Sequence, residues 1–378
     1  MRLKTVAKLG TVVSVLLFCL AVGYYAFMRL DMAEHNRDVN LFSLIPSNSV
    51  AVLESDHVDA FLNEYPNYNY GNELDNLQFP GLFNFLITEL NEYAGHGLSN
   101  QLSRLMVSFH EPGTAFDQIV YFHMGMAEER ILTDMLHDYL PTNFIPKEEK
   151  YRGKSIFVYP LSPEEFLSAY MDEGFVVLSY QKRLIEEVID AQLDKTSLND
   201  DALFARILGK KKSPDFLTLY GHSVSMPFLK TESECWSEYE FHLNSDVIYL
   251  TGNTYFSDEE DSLREADLFV EALPVVYEDG LMISADKDST AFYMNQALES
   301  RGKDHNLFSE CVANLSSEAS FSLVADMQKV EEYPVRFQDY LPTFMLENAA
   351  LFRSFVFSVQ LSMNDGCPSH MWVFTYKY

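Results

Sequence analysis

The run DKDST at residues 286–290 is the sharpest match in the sequence to a motif that performs chemistry. In phosphotransferases with a DxDx[TV] pattern, the first aspartate attacks the phosphoryl group and the second acts as acid or base. Such enzymes also need a later acidic pair to hold Mg²⁺, and residues 291–378 contain no GDxxxD pattern. The run also fails as a calcium loop, because Ala291 and Ala297 occupy the positions of its glycine and glutamate. We therefore expect Asp286 and Asp288 to cap a helix.

The other reactive side chains form no recognisable site in the sequence. Cys367 and His370 make a single CxxH, whereas a structural zinc site needs a second pair of ligands. His110 and His123 flank opposite ends of a predicted hairpin and are therefore too far apart to share a metal. The Gly-His-Ser run at 221–223 lacks the second glycine of the GxSxG turn that carries the nucleophile in serine hydrolases. No HExxH or glycine-rich phosphate loop occurs, so nucleotide binding is not expected. The sequence thus predicts no catalytic, cofactor-binding or metal-binding residue and leans away from an enzyme.

The N-terminus has the features of a signal anchor. Residues 9–28 carry no charge, and as a helix they would span roughly 30 Å, the thickness of a bilayer core. Three basic residues precede them, so the positive-inside rule predicts a cytoplasmic tail at 1–8, a tether at 29–42 and a periplasmic remainder. The alternative is a signal peptide cleaved at the small residues Ala21 and Gly23, although the apolar run continues beyond that site.

The charge balance narrows the range of partners. The chain has 27 basic and 56 acidic residues, a formal charge of −29, and residues 1–30 hold four of the basic residues and none of the acidic ones. The exported part therefore carries −33. This charge excludes nucleic acid as a partner, because that binding depends on basic side chains that neutralise phosphates. The one basic cluster, 210–212, is expected to lie in a solvated loop.

The hydrophobic pattern predicts both strands and helices. Strands are indicated near 49–54, in pairs within 104–124 and 154–180, and in a three-stranded meander after 215 whose wet face carries Glu238, Glu240 and His242. Helices are indicated at 56–65, 82–93 and 129–140, at a capping box that begins at Ser257, and after residue 180. The buried face of the helix after residue 180 is predicted to comprise Leu184, Ile185, Val188, Ile189 and Leu193.

These elements predict an α+β fold of two related lobes, 43–212 and 213–378, each an antiparallel sheet covered by helices, preceded by one transmembrane helix. Two alignments motivate the internal repeat: residues 45–56 with 315–326, and 104–124 with 353–376. A competing alignment places 280–295 against the first segment, so the register of the repeat stays open.

Four cysteines occur, and Cys19 lies within the predicted anchor. In an oxidising compartment, Cys235, Cys311 and Cys367 allow one disulfide among three pairings, with one thiol left over. Three independent buried thiols are the alternative.

Several segments together resemble a known family. They are the basic N-terminus with its single anchor, LIPSNSVAVLES, GKSIFVYPL, GFVVLSYQKRLIEEVID and VIYLTGNTYF. The chain resembles N-terminally anchored envelope proteins of Gram-negative bacteria that share a periplasmic domain of unknown function. The resemblance implies a location and a fold class, and it transfers no catalytic residue.

The leading functional expectation is a non-enzymatic interaction or accessory protein of the cell envelope. It would sit in the inner membrane as a single-pass protein and bind another envelope component through a sheet edge or through the groove between lobes. A carrier or sensor of an apolar ligand such as a lipid is one alternative, motivated by the 29 Phe and 22 Tyr residues. A carboxylate-based hydrolase is another, and it requires clustered acids with raised pKa values.

Overall fold

The structure is a computed structural model of the chain. It describes residues 39–55, 67–70, 105–112, 116–123, 146–160, 165–172, 174–208, 217–222, 234–257, 275–300, 306–347, 349–364 and 367–377. Outside the described residues lie the predicted tail, anchor and most of the tether, the predicted helices at 56–65, 82–93 and 129–140, the helix after Ser257, and the basic cluster 210–212. Within the described residues, no helix has both the length and the apolar character that crossing a membrane requires.

Fifteen strands in the described residues form one sheet. They are β1 (Ala51–Ser55), β2 (Leu105–Phe109), β3 (Gln118–His123), β4 (Lys147–Tyr151), β5 (Lys154–Pro160), β6 (Phe166–Asp172), β7 (Phe175–Ser179), β8 (Thr218–His222), β9 (Cys235–Leu243), β10 (Val247–Phe256), β11 (Val276–Glu278), β12 (Leu281–Ser284), β13 (Phe321–Asp326), β14 (Phe355–Asn364) and β15 (Cys367–Tyr376). The described helices are α1 (Lys182–Asp194), α2 (Ala202–Leu208), α3 (Lys287–Ser300), α4 (Leu307–Ala313), α5 (Met327–Glu332), α6 (Thr343–Glu347) and α7 (Ala349–Phe352).

The sheet is continuous, and the prediction of two lobes covered by helices is wrong. Its strand order is β11-β12-β13-β14-β15-β10-β9-β8-β1-β2-β3-β7-β6-β5-β4, with antiparallel neighbours throughout. The two predicted lobes meet where β1 pairs with β8, with Val52 opposite Tyr220. In separate sheets β1 and β8 would each expose an unpaired edge, and pairing them removes both edges.

The strand order is the same on both sides of the β1–β8 pair. Outward from the centre it reads β1-β2-β3-β7-β6-β5 on one side and β8-β9-β10-β15-β14-β13 on the other. By position, β1 therefore corresponds to β8, whereas the alignment of 45–56 with 315–326 matched β1 with β13. Likewise β3, β7 and β6 correspond to β10, β15 and β14.

Two strands between 146 and 172 are absent from the sequence expectations. The edge strand β4 has the sequence KEEKY, which lacks an apolar face, and Arg152 and Gly153 turn the chain into β5 with φ values of 47° and 86°. Arg152 also pairs with Asp190 (2.6 Å) and Asp194 (2.7 Å) on α1. Charged side chains protect a sheet edge from further pairing, and they also leave this strand without the apolar alternation by which a strand is predicted.

Both faces of the sheet carry apolar clusters. On the face covered by α1, here called the α1 face, Leu184, Ile185, Val188 and Ile189 pack on β1–β3 and β5–β7, whereas Leu193 of the predicted buried set is 43% exposed. The same cluster includes Trp236 of β9. Farther along this face, α3 and α4 pack on β12–β14. On the opposite face, α5 lies over a cluster that includes Phe337, Leu341, Met345, Phe357 and Trp372.

Candidate functional site

Polar side chains separate the two apolar clusters on the α1 face. Directly opposed residues of an antiparallel pair share a face, so the register places Glu240, Thr251, Met371 and Gln360 in one row across β9, β10, β15 and β14. A second row beside it contains Glu238, Asn253, Ser369 and Ser362. Four strands at about 4.8 Å spacing make this polar floor about 14 Å wide.

The polar floor forms the base of an open groove of about 410 Å³. Residues 316–319, which follow α4, form one wall. The groove is lined by Glu238, Glu240, Thr251, Gly252, Asn253, Ser316, Glu318, Ala319, Gln360, Ser362, Ser369, His370 and Met371. Its volume lies within the range of about 300–1,000 Å³ that is common for ligand sites.

Hydrogen bonds fix the orientation of the floor. The Ser369 hydroxyl donates to Asn253 Oδ1 at 2.9 Å, and Asn253 Nδ2 donates to Glu238 Oε1 at 3.3 Å, so one chain of contacts crosses β15, β10 and β9. The buried Gln360 amide accepts from the Ser316 backbone N–H and donates to the Ser316 carbonyl, each at 3.0 Å. This pair of bonds holds the wall against the floor, so the groove is preformed.

Gly252 allows a close approach under the groove. The registered pairing of β9 with β10 stops between Glu240 and Ser237, and the Glu238 carbonyl turns toward the opposite face of the sheet. There it accepts a hydrogen bond from His370 Nε2 at 2.9 Å. A Cβ at Gly252 would lie 1.9 Å from that carbonyl oxygen, so no larger residue fits. Burial lowers the pKa of His370 to about 4, which keeps its ring neutral as a donor to the carbonyl.

The corresponding position on the other side of the sheet has a different chemistry. On β3, β7 and β6 the α1 face presents Tyr121, Val177 and Tyr170, which are buried in the cluster that α1 completes. On β10, β15 and β14 the same position presents Thr251, Met371 and other groove residues. The polar floor therefore belongs to a solvated surface, and it does not have the composition of a helix-packing face.

The groove is acidic. Glu238, Glu240 and Glu318 line it, and no Lys or Arg is among its described lining residues. At the rim, Lys287 Nζ lies 3.2 Å from Glu318 Oε2, but both side chains are mostly exposed.

The DKDST run caps α3, as the sequence predicts for Asp286. The Asp286 carboxylate accepts hydrogen bonds from the Ser289 hydroxyl (2.6 Å) and from the Ser289 backbone N–H (2.8 Å). These bonds lower the pKa of Asp286, because they stabilise the ionised form. Asp288 lies in the first turn of α3, where its negative charge interacts favourably with the helix dipole.

The other sequence candidates do not converge. Cys367 contacts the apolar cluster on the α1 face, whereas the His370 ring lies on Tyr239 on the opposite face, with centroids 4.4 Å apart. Residues three apart in a strand point to opposite faces, so the CxxH pair does not form half of a metal site. His222 Nε2 contacts Glu234 at 2.9 Å, and Ser223 lies outside the described residues.

His110 and His123 lie at opposite ends of the β2–β3 hairpin, as expected. His110 takes part in a buried contact chain, in which Ser108 Oγ lies 2.8 Å from His110 Nε2 and 2.9 Å from the Tyr121 hydroxyl. A serine beside a histidine is the arrangement of a nucleophile and base, but Ser108 has no exposed surface. Because no substrate reaches it, the chain of contacts is part of the core.

The structure shows no disulfide among Cys235, Cys311 and Cys367. This agrees with the alternative of independent thiols, although only Cys235 and Cys311 are fully buried. Burial raises the pKa of the Cys311 thiol to about 11. Within the described residues, no group of three or more His, Cys, Asp or Glu side chains converges in a way that could hold a metal ion.

Among the carboxyl groups with a clear pKa shift are Glu149, Asp194 and Asp286, and in each the pKa is lowered by hydrogen bonds to its neighbours. A general acid would need the opposite shift. The sequence does not identify the groove as a site, although the alternation of Glu238, Glu240 and His242 indicates a solvent-exposed face of this strand.

No protein-family model matches the chain, and no curated protein or solved structure gives a match.

Proposed function

We propose that this protein is a non-enzymatic binding protein of the bacterial cell envelope. Residues 9–28 would anchor it in the inner membrane, with residues 1–8 in the cytoplasm and the sheet in the periplasm. The proposal includes membership in the anchored envelope family that the sequence resembles. The observation that supports it best is the preformed, open and polar groove on the α1 face.

The groove is a better binding surface than the edges of the sheet. One edge, β4, has four charged residues in succession, and its Glu149 pairs with Lys147 (2.7 Å) and with Lys182 of α1 (2.6 Å). The other edge, β11, has only three residues. Short or charged edges disfavour the addition of a partner strand, so we expect the partner to bind in the groove.

A site-specific crosslinking experiment in intact cells tests this proposal. A photo-crosslinking amino acid would replace Met371, which lies in the groove and is 36% exposed. Its control would replace Phe292, which is 64% exposed on α3 and does not line the groove. We expect one reproducible adduct from position 371 and none of the same mass from position 292.

Filling the groove supplies the second arm of this experiment. Ser362 is exposed in the groove, so Ser362→Trp should block the adduct at position 371, whereas Asn295→Trp on the exposed surface of α3 should leave it unchanged. Absence of any adduct from position 371, or an adduct that Ser362→Trp does not reduce, would count against binding in the groove.

A further inference from the structure

We infer that the edge strand β4 is a detachable strap, held to α1 by ion pairs, which opens while the rest of the sheet stays folded and so controls access to the backbone edge of β5. This inference is independent of what binds in the groove. It follows from the small share of β4 in the core, from its contacts with α1 and from the composition of the strand that it covers.

β4 contributes little to the apolar core. Its five side chains are exposed or half-buried, and none is buried. Tyr151 is its one apolar residue, and it packs at the margin of the cluster under α1. By contrast, β5 buries Ile156 and Tyr159. Because burial of apolar surface supplies most of the stability of a sheet, detaching β4 gives up much less than detaching β5.

Ion pairs make up most of the side-chain contact between β4 and α1. The Arg152 guanidinium, in the turn after β4, lies 2.7 Å from each carboxylate oxygen of Asp194 and 2.6 Å from Asp190 Oδ1. Lys182 Nζ, at the start of α1, lies 2.6 Å from Glu149 Oε2. All five side chains are between 28% and 50% exposed. Ion pairs with this exposure are weak and are screened by salt, so the strap is held in a way that ionic strength can change.

The strand beneath the strap has the composition of a pairing edge. Residues 156–159 read Ile-Phe-Val-Tyr, all uncharged and either β-branched or aromatic. With β4 detached, the backbone N–H and C=O groups on that side of β5 would face solvent. An uncharged edge of this kind accepts a strand from another molecule, whereas β4 itself is charged and does not. The closed strap therefore protects the sheet from further pairing.

The register identifies the backbone groups that the strap covers. A two-residue turn joins β4 to β5, so hydrogen-bonded pairs alternate outward from that turn. The N–H groups of Ile156 and Val158 therefore point toward β4, and we call them the strap-facing amides. Those of Phe157 and Tyr159 point toward β6. Opening of the strap frees the first pair, whereas the second pair is freed only when β5 leaves β6.

Hydrogen–deuterium exchange of the full-length protein in a non-ionic detergent tests this inference. Mass spectrometry with electron-transfer fragmentation would resolve single amides of β5. We expect the strap-facing amides to exchange at least about tenfold faster than the amides of Phe157 and Tyr159. Raising NaCl from about 50 to about 500 mM should speed the strap-facing amides about threefold and leave the other pair unchanged, because salt screens partly exposed ion pairs.

Matched double variants separate these ion pairs from the general charge of the protein. The variant Asp190→Asn/Asp194→Asn removes both carboxylates that Arg152 contacts and leaves the sequence of β4 intact. Its control, Glu299→Gln/Glu347→Gln, removes two carboxylates from exposed positions on α3 and α6. The first variant should speed exchange of the strap-facing amides about tenfold, since each partly exposed ion pair contributes a factor of about three. The control should change it by less than about twofold.

Three results would overturn the inference. Equal exchange of the two pairs of amides would mean that β4 opens only together with β5. Strap-facing amides that respond neither to salt nor to the first variant would mean that ion pairs do not hold the strap. Equal acceleration of all amides in β5 by the first variant would mean that the ion pairs stabilise the whole sheet. The salt comparison uses the unsubstituted protein, so it decides the question even where the first variant is unstable.

Discussion

Two buried histidines, one on each face of the sheet, should make the protein unfold more readily in mild acid. His110 is 2% exposed and His370 is 6% exposed, and burial lowers the pKa of each from 6.5 to about 4. Around His110, the charges of Glu187 and Asp117 act against this shift and Arg183 acts with it. Both rings are therefore neutral in the folded protein between pH 7 and pH 5, whereas the unfolded chain takes up a proton on each.

The size of the effect follows from this difference in proton uptake. A pKa that is lower in the folded state gives stability that is fully present above pH 6.5 and is lost as the pH falls toward 4. A pH of 5 lies 1.5 pH units below the pKa of 6.5 of the unfolded imidazole, and each pH unit corresponds to about 1.4 kcal/mol. Each histidine should thus lower the free energy of unfolding by about 2 kcal/mol between pH 7.5 and pH 5, or about 4 kcal/mol for the two.

Urea unfolding at pH 7.5 and pH 5, followed by circular dichroism, measures this difference. His370→Gln retains an N–H donor for the Glu238 carbonyl but cannot take up a proton, so it should remove about half of the pH dependence. His242→Gln, at an exposed ring on β9, is the control and should leave the pH dependence intact. The reasoning fails if the His370→Gln variant loses as much stability between the two pH values as the unsubstituted protein does.

Two further results should follow from the packing. Gly252→Ala should lower the free energy of unfolding by about 3 kcal/mol in urea titrations, because the new Cβ would collide with the Glu238 carbonyl. In Gly153→Ala the new Cβ has no atom within 4 Å, so this variant should lose only about 1 kcal/mol, because of its φ of 86°. Equal losses in the two variants would contradict the close approach at Gly252. When the native protein is alkylated, Cys367 should react first and Cys311 only on unfolding, because Cys311 is buried and its thiol has a raised pKa. Fast modification of Cys311 would argue against its burial. A reductant should not shift the melting temperature, because the structure shows no disulfide among these cysteines.

The sequence predicts the strands whose two faces differ. The β8–β10 meander and the β2–β3 hairpin alternate apolar and polar residues or are rich in β-branched residues, and both are present. The helix α1 follows from its 3.6-residue period, with Leu193 as the exception at its last turn. By contrast, the sequence pattern does not reveal β4 and β6. KEEKY has no apolar face, and in FLSAYMD both faces are buried at residues 167–170, so the segment shows no clear alternation of apolar and polar residues.

Long-range pairing lies beyond this kind of prediction. The pairing of β1 with β8 joins residues more than 160 positions apart, and no local pattern distinguishes two sheets from one. The polar floor has the same difficulty. Glu238 and Glu240 indicate a wet face of β9, but Gln360 and Ser369 come beside them only because β10 pairs with β15 and β15 with β14.

The polarity of the floor explains why the groove stays open in this fold. A helix packed on β10, β15 and β14 as α1 packs on β3, β7 and β6 would remove Glu238, Glu240 and Asn253 from water. Moving a carboxylate out of water costs several kcal/mol, which exceeds what the exposed Met371 side chain would gain from coverage. The composition of the floor therefore disfavours an apolar helix as its cover.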